Sequence, residues 1–189
     1  MVLQDRRVKR TQQHLAKALV ALTLEKGYDA VTIRDITERA DIGYATFFRH
    51  YHDKEALLHD VSEVVLADLR KELPIAPGMD ATVVGINLFL YVAEHANVFR
   101  ALVSGHSTSS LMQHIVELAS GDILDEHTLK EGSLVPIEVA AYHIAKSSIA
   151  LIQWWLEREM PYPPERMGAI FARLIVQPTF YITFNVPFS

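Results

Sequence analysis

The 189 residues include no cysteine. Disulfides and thiolate metal sites are therefore excluded, and with them a small secreted scaffold held by disulfides; the cytoplasm is the expected compartment. Glycine and proline are scarce at eight each, which removes collagen-like and low-complexity classes. Long apolar runs are missing too. The longest, Ile144 to Leu156, is interrupted by Lys146 and Gln153 and is too short to span a bilayer, so a soluble protein is expected. Arg6, Arg7, Lys9 and Arg10 near the N-terminus are followed by apolar residues at helical spacing, with no apolar signal core and cleavage site. No internal repeat, nucleophile elbow, phosphate loop or HExxH motif occurs, and no enzyme and no cofactor are expected.

What is present is an ordinary globular composition, 50% hydrophobic and 22% charged, long enough for one compact domain or a small module joined to a larger one. The net charge of −5 is unevenly spread. Met1 to Leu58 carries ten Lys/Arg against eight Asp/Glu, whereas the rest carries eight against fifteen. The basic character lies at the N-terminal end, where a nucleic-acid contact would need it.

Hydrophobic spacing predicts an all-α protein of about nine helices. Leu15, Leu19 and Leu22 recur at helical intervals in a first helix from about Asp5 to Lys26, and Gly27 follows as a left-handed stop. Thr32 and Asp35 stand at capping-box spacing, flanked by Val31 and Ile36 in staple positions, so a second helix starts at Thr32. It ends at Asp41-Ile42-Gly43, with Ile42 pointing inward, before a short run from Tyr44 to Tyr51. Two short helices and a tight turn make a helix-turn-helix candidate. Asp53 caps a longer helix that ends before Pro74. Further helices are predicted at about 80–94, 96–103, 108–120, 136–159 and 164–176. The tail 179–189 has strand-like composition but cannot support a sheet alone. The expected domains are 1–52, which holds the helix-turn-helix, and a helical 53–178, with 179–189 as a tail.

The segment Thr32-Ile33-Arg34-Asp35-Ile36-Thr37-Glu38-Arg39-Ala40, then Asp41 to Tyr51, then His52-Asp53-Lys54-Glu55-Ala56-Leu57-Leu58 resembles the DNA-binding domain of the tetracycline-repressor (TetR) family. The match runs from about Thr11 to Leu58, and the remainder is similar only in helix number and length. In a helix-turn-helix the second helix enters the major groove, N-terminal residues foremost. Gly43, Tyr44, Ala45 and Thr46 are thus the candidate base readers: Thr46 can hydrogen-bond, Ala45 can touch a thymine methyl, and Tyr44 offers a ring and a hydroxyl. Arg49, His50 and Lys54 are the candidate phosphate contacts, with Arg6, Lys9 and Arg10 ahead of the first helix, and Thr32 is a further candidate DNA-binding residue. Phe47 and Tyr51 are expected in the core. Three residues depart from the family pattern: Asp41 replaces the usual Gly, Gly43 the usual Ser or Thr cap, and Phe48 a Tyr whose hydroxyl meets a phosphate.

The helix at 136–159 is apolar nearly all round, and such a helix must be covered on two sides. Ala141, Ile144, Ala145, Ser148 and Ile152 are the candidate dimer interface, and the resemblance likewise implies a homodimer joined through its last two long helices. A two-fold dimer presents its recognition helices to successive major grooves and predicts a palindromic operator. Phe89, Tyr91, His95, Phe99, His106, Trp154 and Trp155 fall where similar proteins line a ligand cavity, and they suit an apolar or aromatic small molecule. The expected function is a transcriptional regulator, a repressor by the family's usual mode, released from its operator by such a ligand. One alternative is a DNA-binding regulator with no small-molecule input. Another is a small helical enzyme using His95, His106 and His114, but their spacings fit no compact metal motif.

Overall fold

A computed structural model describes residues 2–72, 80–103, 113, 116–121, 123 and 128–184. The helices are α1 (Val2–Lys26), α2 (Ile33–Ala40), α3 (Tyr44–Phe47), α4 (Lys54–Glu72), α5 (Ala81–Glu94), α6 (Ala96–Val103), α7 (Ile137–Glu157), α8 (Pro164–Phe171) and α9 (Gln177–Thr183). A 3-10 turn spans Tyr28–Ala30 and a π-turn, Ala172–Val176, joins α8 to α9. Residues 116–121 are also helical. Among the described residues there is no strand, and the one bridge in the ladder sense pairs Leu129 with Phe184. No single helix among them is long and apolar enough to cross a membrane. The chain divides into two compact units, one of residues up to Val64 with the stretch from Asn97 to Met112, the other from Val65 to Ala96 and from Gln113 onward.

In the first unit, the predicted stripe of α1 is the buried one: Leu15 and Leu19 are fully covered and Leu22 nearly so. Gly27 ends the helix at φ 79°, donating its amide to the Thr23 carbonyl at 2.9 Å, a conformation that a side chain would strain. At α2 the Thr32 hydroxyl accepts from the Asp35 amide at 3.1 Å, and the Asp35 carboxylate accepts from the Thr32 amide at 2.7 Å. Two ion pairs hold α2 to α1: Arg39 donates twice to Glu25, at 2.9 and 2.7 Å, and Lys26 meets Asp35 at 2.8 Å. The Lys26 ammonium, then the Thr32 hydroxyl and amide, hold the Asp35 carboxyl well below the usual carboxylate range. Ile36 and Ala40 are buried on the same side of α2.

Asp41 caps the C-terminus of α2 in the left-handed conformation, φ 55° and ψ 48°. A side chain there costs energy that glycine does not incur. Asp41→Gly should therefore raise stability by about 0.5–1 kcal/mol, seen as a higher melting temperature; an unchanged or lower one would show that the carboxylate supplies a compensating contact.

The second unit is built around a crossing of α5 and α8 in which backbone meets backbone. A Cβ on Gly85 would stand 2.6 Å from the Gly168 carbonyl oxygen, and one on Gly168 would stand 2.4 Å from the Ile86 nitrogen. Beside this crossing the Phe89 ring meets Trp155 edge-on at 5.1 Å and Phe171 at 6.5 Å. The inward face of α7 is formed by Ala140, Ala141, Ile144, Ala145, Ile152, Trp155 and Leu156.

The tail's strand-like composition is misleading, because residues up to Thr183 are helical. Burial of Val176, Thr179, Phe180 and Thr183 follows the helical period. Pro178 falls in the first turn of α9, directly after the widened π-turn, where its missing N–H breaks no bond within α9. The carbonyls at the end of α9 find donors in the loop before α7. The Lys130 amide donates to Thr183 at 2.8 Å, the Lys130 ammonium to Tyr181 at 3.3 Å, and the Ser133 hydroxyl to Ile182 at 3.1 Å. This satisfies carbonyls that a helix end leaves open, and it sets the start of α7 beside the end of α9.

Candidate nucleic-acid interface

The turn between α2 and α3 closes through the Ile42 amide, which donates to the Thr37 carbonyl at 3.0 Å. Gly43 caps α3 with no side-chain hydrogen bond, so the short helix is positioned by packing. Phe47 is fully buried, and its ring lies 5.8 Å from that of Tyr51, which is also buried. Both are the core residues the sequence predicts. The Tyr51 hydroxyl donates to the Asp60 carboxylate on α4; burial first, then this acidic neighbour, raises the phenol above its ordinary range.

With that side anchored, the other side of α3 is open. Tyr44 is 56% exposed, Gly43 and Ala45 are exposed, and Thr46 is half-buried. Arg49 is exposed and forms no ion pair among the described residues, and His50 is half-buried beside it. Phe48, treated in the sequence only as a lost hydroxyl, is 47% exposed and meets Tyr44 edge-on at 5.2 Å. The signal that could have found it is the i, i+4 spacing from Tyr44. Between α2 and α3 an open cleft of about 700 Å³ is lined by Arg34, Glu38, Asp41, Gly43 and Tyr44 among others. Arg34 is not a free cation there, since it pairs with Glu38 at 2.9 Å.

Two residues expected to contact DNA are otherwise engaged. Lys54 turns its ammonium back to the carbonyls of Tyr28 and Val31, both at 3.0 Å, and of Asp29 at 3.5 Å, over the Tyr28 ring at 4.4 Å from its centroid. All three of its donors are thereby directed to backbone. Thr32 spends its hydroxyl on Asp35, accepting from the amide and donating to the carboxylate at 2.6 Å. Its proton serves the cap. Asp53 caps α4 as the sequence predicts, accepting from the Ala56 amide at 2.7 Å. Arg6, Lys9 and Arg10 are exposed along the first turns of α1, which begins earlier than its apolar spacing predicts.

The residues expected to line a ligand cavity have different surroundings. Phe89 and Trp155 pack directly on each other in the core, and the Trp155 indole N–H donates to the Tyr162 carbonyl at 2.8 Å. Tyr91 and His95 are half-buried with rings 4.4 Å apart. Trp154 points outward from α7 and stacks on Tyr162, with Arg158 over it at 5.3 Å. Phe99 is half-buried on α6. His106 and His114 lie outside the described residues. Among the described residues no group of three His, Cys, Asp or Glu could hold a metal ion.

The expected dimer residues also need correction. Ala141, Ile144, Ala145 and Ile152 are covered within the chain itself, at 0–6% exposure, and leave almost no area for a second copy. Ser148 is half-buried and donates its hydroxyl to the Ile144 carbonyl at 2.6 Å. Open apolar side chains of the second unit include Val139 and Tyr142 on α7, Leu174 in the π-turn, and Tyr181 and Ile182 on α9, besides Val83 and Leu90 on α5, Leu129, Leu134 and Trp154.

Comparison with known proteins matches two segments of the chain. Residues 15–61 match the family of bacterial regulatory proteins of the tetR family, and residues 84–177 match a transcriptional-regulator C-terminal region. The uncharacterized HTH-type transcriptional regulator YxbF of Bacillus subtilis (strain 168) is 42% identical over 73 residues, 38% of this chain and 19% of that protein. YdeS of the same organism, also an uncharacterized HTH-type transcriptional regulator, is 32% identical over 121 residues, 64% of this chain and 54% of its own length. The matches thus span about a fifth to about half of these relatives. The solved structure of a TetR-family regulator from Syntrophomonas wolfei has the same fold, with a TM-score of 0.63 at 19% identity, covering 90% of this chain and 95% of the other. From its helix-turn-helix to its C-terminal helices, the chain belongs to the TetR family of bacterial transcriptional regulators.

Proposed function

We propose that the protein is a sequence-specific DNA-binding repressor that occupies a palindromic operator as a homodimer and is released by a small apolar or aromatic ligand. The observation that carries this reading is α3, anchored through Phe47 and Tyr51 while Tyr44, Ala45 and Arg49 stay open on its other side. Tyr44, Ala45 and Thr46 read bases from the groove, with Gly43 permitting close approach. Arg49 and His50 supply phosphate contacts and the salt-dependent part of affinity. Residues 1–52 read DNA, and 53–178 bind the ligand and dimerise, with α9 extending the dimerising surface to Ile182.

The second copy seats on the open apolar side chains of α7, the π-turn and α9, in place of the inward residues of α7. Such a dimer sets two recognition helices about 34 Å apart, one turn of the duplex. Ligand binding in the C-terminal part favours a state in which α4 has moved and the two recognition helices no longer match that spacing. Linkage then requires operator DNA to weaken ligand binding by the same factor, so equal ligand affinity with and without operator would eliminate this mechanism.

A second reading, regulation without a small molecule, draws support from the direct packing of Phe89 on Trp155 and from the Trp155 N–H already spent on Tyr162. Selection of duplexes from a random pool by the purified protein tests the first reading. Tyr44→Ala and Thr46→Ala should each enrich a different sequence from the one the parent enriches. If both variants enriched the parent's sequence with unchanged affinity, α3 would not be the base reader.

A further inference from the structure

We propose that Lys54 is a positioning residue of the DNA reader: its ammonium locks the start of α4 to the residues leading into α2, and it contacts no phosphate. The proposal rests on reading α3 as the element that enters the groove. A lysine in the first turn of the helix after a recognition helix invites assignment to a phosphate, and its place in the sequence supports that. Its surroundings oppose it. An ammonium has three donors, and here three carbonyls face it, those of Tyr28 and Val31 at 3.0 Å and of Asp29 at 3.5 Å. The Tyr28 ring lies under the charge, 4.4 Å away. To meet a phosphate, Lys54 would have to leave all four of these partners.

The location of those partners gives the lysine its role. Val31 closes the 3-10 turn, and Thr32, the next residue, is the N-cap of α2. Lys54 is the first residue of α4. One side chain therefore fixes the distance between the start of α2 and the start of α4, and α3 is suspended between these two helices. α3 has four residues and no side-chain cap, too little to hold an orientation of its own. The open face that carries Tyr44, Ala45 and Thr46 inherits its aim from a frame closed at Lys54. Arg49, exposed and outside any ion pair among the described residues, is the contrasting case of a cation left for DNA.

The test uses the full chain, a duplex that it selects from a random pool, and a random duplex of equal length, titrated at several salt concentrations below the melting temperature. If the Lys54 ammonium met a phosphate, Lys54→Met would reduce the salt slope by about one unit and weaken both duplexes alike. The positioning role instead leaves the slope unchanged, weakens the selected duplex about tenfold, and leaves the random duplex within about twofold, so that the specificity ratio falls. A slope reduced by one would overturn the proposal. So would a lower melting temperature with both affinities unchanged, since Lys54 would then only stabilise the fold.

Reductive methylation of the unaltered protein gives a second readout that needs no variant. Lys54 should be modified slowly, and equally with and without duplex. Rapid modification in the free protein with protection on DNA would mark it as a phosphate ligand and overturn the proposal. If the unaltered protein enriched no duplex at all, the DNA reader itself would be misassigned, and the methylation rate of the free protein would still report whether Lys54 is held by carbonyls.

Discussion

Gly168→Val is expected to unfold the C-terminal unit at temperatures where the parent chain is intact. At Gly168 even a single Cβ would lie 2.4 Å from the Ile86 nitrogen and 2.7 Å from the Ile86 Cα, and at Gly85 it would lie 2.6 Å from the Gly168 oxygen. These obstacles are backbone atoms of a facing helix, so no rotamer change relieves them, and α5 and α8 must move apart. Separation would also pull Phe89 away from Phe171 and Trp155, leaving voids in a core that is otherwise close-packed. Overpacking a well-filled core costs about 1–3 kcal/mol, and more where the backbone must shift, so a loss of about 3 kcal/mol or more is expected for valine and a smaller one for alanine. Thermal melting followed by circular dichroism measures it. A melting temperature within a degree or two of the parent would mean that α5 and α8 do not touch at these glycines.

These two glycines also mark how much of the fold can be read in advance. The helices of the reader are legible because their signals are local: Thr32 and Asp35 are three residues apart, Gly27 follows the last turn of α1, and Asp53 caps α4. The role of Gly85 and Gly168 depends on two residues more than eighty positions apart meeting at one crossing, and no spacing rule reports that. The same distinction explains α7. Periodicity separates one of its sides from the other but does not say which side its own chain covers, and Ala141, Ile144, Ala145 and Ile152 form the inner one.

In the site, residue type and position identify the open face of α3, since Tyr44, Ala45 and Arg49 lie where a helix-turn-helix must expose them. The Lys54 ammonium is directed away from its expected partner because a cation near a recognition helix can donate to phosphate oxygens or to backbone carbonyl oxygens. Only the three-dimensional placement of the 28–31 turn decides between them. The tail up to Thr183 is helical for a related reason. Its β-branched and aromatic residues favour strands, but burial against the rest of the C-terminal unit fixes them as helix, because tertiary packing overrides propensity.

A charge placed on the outer face should separate folding from function in the opposite way to Gly168. Leu174 is 66% and Tyr142 53% exposed, so Leu174→Glu with Tyr142→Glu removes little from the core of one chain and should leave the melting temperature of a monomer nearly unchanged. In a dimer seated on this face, the pair would bury carboxylates against their symmetry mates, which like-charge repulsion and desolvation both oppose. The loop that ties Lys130 and Ser133 to the end of α9 leads directly into α7, so the start of α7 lies near the end of α9. The double variant should sediment as a monomer. A monomer offers one recognition helix, so the selected palindromic duplex should bind at least about a hundredfold more weakly, approaching the affinity for random DNA. Sedimentation and duplex titration read the two effects independently. A variant that remained dimeric would move the interface elsewhere on the chain. One that became monomeric and still bound the palindrome at full affinity would show that a single α3 suffices.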